Sequence, residues 1–158
     1  MSLKSRKRIS CPNSDRVLNK IAKGMNEICE CLDRMYDTNC GGCCYVAYCL
    51  SKLLQRDNID YELVILSYDE IEEGDEIAHF QDCYTHYAIQ IGKFSINKCD
   101  YDEDCCYVRY LANQYPSDIK EHYENCSWNC CYDTDENEFI WNTLKSFYDN
   151  ITKDLRKG

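Results

Sequence analysis

NCGGCCYVAYCL, residues 39–50, sets glycines and cysteines directly ahead of an apolar run. Gly41-Gly42 permits positive φ and close backbone approach, so it breaks whatever element precedes it. After it the spacing is helical. Val46, Ala47, Leu50, Leu53 and Leu54 fall on one face, and Asp57-Asn58 closes the segment. The stretch predicts a helix from near Cys43 to about residue 56, with a thiol in its first turn. A helix start is where the positive dipole end and the free N–H groups favour a thiolate.

Working outward, Cys11-Pro12-Asn13-Ser14-Asp15 reads as a turn and a helix cap. Val17, Leu18, Ile21, Met25, Ile28, Leu32 and Met35 then recur at helical spacing, so a long amphipathic helix is predicted to about residue 36. Gly24 inside it costs about 1 kcal/mol relative to alanine. Downstream, YELVIL at 61–66 is a near-continuous apolar run, as in a strand covered on both faces. Residues 69–82 read as an acidic solvated loop. Residues 87–91 read as a strand, Gly92-Lys93 as a tight turn and 94–97 as the returning strand of a hairpin. Residues 98–105 form a second acidic loop, and 107–111 fits helix or strand. Pro116-Ser117-Asp118 starts a short helix to about residue 125. A last helix is expected over about 136–155, its stripe formed by Phe139, Ile140, Leu144, Phe147, Tyr148, Ile151 and Leu155. This order predicts an α+β fold with helices packed on a small antiparallel sheet. Residues 1–158 are expected to form one domain, with 1–12 as a flexible basic arm.

The formal net charge of -10 argues against nucleic acid as a partner, because binding phosphates takes clustered Lys and Arg. The basic cluster Lys4, Arg6, Lys7 and Arg8 sits at the N-terminus, where chain ends are usually solvated. No stretch approaches the roughly 18 apolar residues of a membrane span. The first residues carry charge but no apolar core of a secretory signal. The 14 cysteines are therefore expected as free thiols in a reducing, cytoplasmic setting, many packed as small hydrophobes. Abundant Asn, Asp, Ile, Lys and Tyr hint at an AT-rich genome, viral or microbial; the expected location then becomes host cytoplasm or virion.

Three side chains assemble a cysteine-nucleophile pattern. Cys43 opens a helix after a glycine turn. His86 begins a strand, and Asn97 ends its hairpin partner, so the turn at Gly92-Lys93 makes His86 and Asn97 neighbours. A histidine takes the thiol proton and returns it to the leaving group. A side-chain oxygen orients the imidazole. The backbone N–H of Cys43, with Asn39 as a further donor, would stabilise an oxyanion.

The segment Gly41-Gly42-Cys43-Cys44-Tyr45-Val46-Ala47 resembles the nucleophile helix of papain-like and transglutaminase-like cysteine enzymes. The stretch from His86 through Gly92-Lys93 to Asn97 resembles their histidine strand, glycine turn and Asp/Asn strand. The likeness covers roughly residues 38–97 and is closest to small papain-fold proteins of phage and viral genomes. It implies a papain-like core with Cys43 as nucleophile, His86 as base and Asn97 as orienting residue. It implies acyl transfer from an amide, isopeptide or thioester of a protein or peptide, with no cofactor or metal. Cys44 follows directly, so the nucleophile register also admits Cys44. Asn at 97 is the papain habit; the transglutaminase-like branch usually has Asp. The alternative is a catalytically inactive papain-fold viral or phage protein with a structural or interaction role. Oligomeric state is left open.

Other readings attach to the same residues. Cys40-Gly41-Gly42-Cys43 is a C-x-x-C, but a thioredoxin-like motif follows a strand, and here a long helix precedes it. A Cys40–Cys43 disulfide would silence the nucleophile under oxidation. Cys40 and Cys43 with Cys126 and Cys130, or with Cys29 and Cys31, would make a four-thiolate zinc site, although their spacings match the usual pairs poorly. Residues 100–104 lack the glycine and terminal glutamate of a calcium loop. His79 and His122 read as solvated, and Trp128 and Trp141 as core or interface anchors.

Overall fold

The computed structural model describes residues 7–36, 43–67, 84–98, 106–111 and 134–156. The first helix is capped as its sequence predicts. The Ser14 N–H donates to the Cys11 carbonyl at 3.0 Å, and Ser14 Oγ accepts from the Val17 N–H at 3.4 Å. Helix α1 (Asp15–Tyr36) carries Asp15 in its first turn and Arg34 in its last, each the sign that suits the dipole there. Val17, Leu18, Ile21, Met25, Ile28 and Leu32 are buried, whereas Met35 is 62% exposed, so the stripe ends one turn early. Helix α2 (Cys43–Arg56) buries Val46, Ala47, Leu50, Leu53 and Leu54.

Strands β1 (Glu62–Ser67), β2 (Tyr84–Ile91), β3 (Phe94–Ile96) and β4 (Cys106–Leu111) make one antiparallel sheet in the order β3-β2-β1-β4. The segment that fitted helix or strand is thus a strand, and its pairing with β1 decides it. Consecutive residues Leu63 and Val64 are both buried, as a strand covered on two faces requires. Gly92 turns the β2–β3 hairpin at φ +55°. Helix α3 (Thr134–Thr152) continues into a 3-10 turn (Lys153–Leu155). Ile140, Leu144 and Tyr148 are fully buried, but Phe139 and Phe147 are about half exposed. These two rings flank the buried row, whose spacing of four residues fixes the inward direction.

Side-chain contacts set the directions of the helices. Lys20 of α1 pairs with Asp154 at 4.0 Å, and Gly24 faces Ile151, so α1 and α3 run antiparallel. Tyr45 Oη donates to the Asn137 carbonyl at 3.0 Å and Arg56 pairs with Asp149 at 2.7 Å, so α2 and α3 run parallel. Strand β3 runs alongside α1, with Lys93 on Asp15 at 3.1 Å and Gly92 against Leu18. Leu63, Tyr87, Ile89, Ile91 and Ile96 join the three helices in one core. Burying each such aliphatic side chain contributes roughly 1.5–3 kcal/mol.

The segment read as a flexible arm is docked from Ile9 onward. Ile9 is buried and bridges Arg156, and the Ser10 N–H donates to the Leu155 carbonyl at 3.0 Å. Arg156 also grips Asp57 with two bonds of 2.8 Å, and donates to the Lys7 carbonyl and Thr152 Oγ1 at 3.0 Å each. No helix among the described residues is long and apolar enough to cross a membrane. The acidic stretches, the short helix expected near 116–125, His79, His122 and Trp128 lie outside the described residues.

Candidate active site

The directions of the helices and strands bring the three predicted residues to one end of the molecule. Strand β2 starts at the end opposite Gly92, and Gly92 lies beside the first turns of α1. His86, third in β2, is therefore level with the C-terminal half of α1. The start of α2 reaches the same end, because α2 parallels α3 and α3 opposes α1. Cys43 and Cys44 open α2 there, and its first turn holds no acidic residue to offset the positive end of its dipole. The thiols of Cys43 and Cys44 lie outside what is described, as do Asn39 and Cys40.

Strand β2 begins two residues earlier than the sequence suggested, so His86 sits inside it. Its pairing with β1 slips just before His86. Leu66 opposes His86 and Ser67 opposes Tyr84, leaving Thr85 as an extra residue. A bulge of this kind bends a strand and re-aims its side chains. Strand alternation sets His86 with Ala88 and Gln90, on the face opposite the Tyr87–Ile89–Ile91 row that joins the helical core. His86 is 1% exposed.

His86 and Asn97 do touch, though not as predicted. His86 Nε2 bonds the main-chain carbonyl of Asn97, not its side chain. A carbonyl only accepts, so Nε2 carries the proton and the neutral ring keeps its lone pair on Nδ1. Among the described residues Nδ1 is buried with no hydrogen-bond partner, and so is Asn97 Nδ2. Asn97 lies just past β3 with φ +61°, a left-handed conformation that Asn tolerates better than most residues. That turn takes the chain off the strand path beside His86. Burial pushes the His86 pKa below its ordinary 6.5, while the Asn97 carbonyl and the Asp33 carboxylate of α1 act in the opposite direction.

Asn26 is not among the candidate residues of the sequence, yet it reaches this site from α1. Asn26 Nδ2 donates to the Ser95 carbonyl at 2.8 Å, and its Oδ1 accepts from the Asn97 N–H at 2.7 Å. A signal existed: an asparagine, a poor helix former, in mid-helix beside buried Met25.

Among the described residues Cys11 and Cys31 are exposed free thiols, and Cys29 and Cys49 are buried ones. Cys29 and Cys31 therefore face different ways and do not form one half of a thiolate site. Among the described residues no cluster of three His, Cys, Asp or Glu could hold a metal. Burial, then Cys49, pushes the Cys29 thiol up to about 12. No family model, curated protein or solved structure matches the chain.

Proposed function

We propose that the chain is a thiol-dependent acyl-transfer enzyme of papain-like type, with Cys43 as nucleophile and His86 as general base. The observation that carries this reading is the state of His86. Its Nε2–H is tied to a main-chain carbonyl, and its Nδ1 is buried without a partner among the described residues, at the end of the fold where α2 begins. A lowered pKa keeps the ring neutral near pH 7, with the lone pair available.

In the proposed cycle Nδ1 takes the Cys43 thiol proton, and the sulfur attacks the acyl carbon of a protein or peptide substrate. The N–H groups at the start of α2 hold the oxyanion. The imidazolium returns its proton to the leaving amine as the C–N bond breaks and a thioester forms. Water or a second amine then releases the acyl group. Because His86 shares a sheet face with Ala88 and not with the helical core, the pair would meet beyond the end of the sheet.

The test is site-resolved alkylation of the native protein, read by mass spectrometry from about pH 5 to pH 9. Exposed Cys11 and Cys31 serve as reference thiols, and Cys29 as an inert one. Cys43 is expected to label fastest, with a midpoint below the free-thiol value of about 8.5. His86→Ala is expected to slow it at least tenfold, less than the roughly 100-fold or more a positioned base contributes to a full reaction. Equal rates at Cys43, Cys11 and Cys31 would sink the enzyme reading and leave a binding or structural component.

A further inference from the structure

Resting on that reading of His86 as the base, we infer that Asn26 is the positioning residue for its imidazole, and that Asn97 serves through its main chain alone. Any residue at position 97 brings a carbonyl. What fixes this carbonyl on His86 is the path of the chain over 95–97, and Asn26 holds that path at two points. Its Nδ2 takes the Ser95 carbonyl and its Oδ1 takes the Asn97 N–H. Strand β3 ends at Ile96, so among the described residues no further sheet pairing holds Asn97. The Asn97 side chain shows the complementary picture. Its Nδ2 is buried with no bond among the described residues, which is not how an orienting amide behaves. A third observation is the left-handed turn at Asn97, where the bond from its N–H to Asn26 Oδ1 fixes the chain path that carries the carbonyl to His86.

The two functions are therefore split between residues 71 positions apart in the chain. Asn26 supplies the side-chain specificity, and Asn97 supplies an acceptor and a permitted φ. Loss of Asn26 frees the 95–97 backbone, loosens the Nε2–H bond and lets the imidazole populate its other tautomer. With the proton on Nδ1, the ring no longer offers its lone pair there.

The experiment reads the ring directly. Side-chain nitrogen NMR of the labelled full chain reports which imidazole nitrogen carries the proton, and His86→Gln assigns the signal. The wild type is expected to show a single Nε2–H tautomer. Asn26→Leu and Asn26→Ser, which differ in bulk so that one folding variant suffices, are expected to give mixed tautomers. They are also expected to slow Cys43 alkylation by about tenfold, part of what a base contributes. Asn97→Gly, which keeps the carbonyl and favours φ +61°, is expected to hold the Nε2–H tautomer. A single tautomer in a folded Asn26 variant overturns the inference, and so does a mixed tautomer in Asn97→Gly. A tautomer that shifts as expected while Cys43 stays no faster than Cys31 leaves Asn26 as the positioning residue and rejects the enzyme.

Discussion

His86 loses almost all contact with water on folding, and its charged form loses more by this than its neutral form. The unfolded chain therefore takes up a proton near pH 6.5 while the folded chain still resists it. Stability should be fully present above that pH, fall as pH drops through 6.5, and level off below the lower pKa of the folded state. Denaturant titrations at several pH values test this, and His86→Gln should flatten that part of the slope. At this scale the sequence was legible where chemistry names a residue type. A thiol at a helix start and a histidine on a strand can be read from spacing. The Asn97 contact cannot, because it is made by a main-chain atom after a positive-φ turn. Nor can the use of Asn26, which depends on α1 lying along β3.

Elements were legible wherever apolar spacing was long and regular. α1, α2 and the β2–β3 hairpin follow their sequence patterns closely. Phe139, Phe147 and Met35 fall in apolar rows yet are exposed, because packing against neighbours, not apolar identity, decides the face. The YVRYL segment lacked a decisive period, and a strand paired over forty residues away settled it. Gly24 illustrates the limit in the other direction. Read locally, alanine should improve the helix by about 1 kcal/mol. In the fold, a Cβ at Gly24 would stand 2.3 Å from Ile151 Cδ1 and 2.8 Å from its Cγ1. Gly24→Ala should therefore destabilise the protein by up to about 2 kcal/mol in chemical denaturation, the roughly 1–3 kcal/mol usual for overpacking less the helix gain. Gly24→Ala combined with Ile151→Ala should lose less than the two changes added together, since the clash is with that side chain.

Across the whole molecule, the start and end of the described chain meet at Arg156, which also closes a buried ion pair with Asp57. Asp57 and Arg156 have side chains only 3% and 11% exposed, and the guanidinium also holds Lys7 and Thr152. Arg156→Met would remove the guanidinium that holds the buried Asp57 carboxylate with two bonds, and should cost about 3 kcal/mol or more in urea unfolding. Changing both residues to leucine should recover part of that loss, because a buried pair stabilises little over an apolar replacement. The Ile9–Arg156 bridge has a mechanical side as well. It is antiparallel, and the two ends leave it side by side, far from the start of α2. A force applied between those ends would peel contacts apart one after another instead of shearing them together. The first to part would be the Lys7 and Ile9 contacts with Arg156 and then its ion pair with Asp57, so tension would travel toward the His86 end only after the last helix had begun to come away.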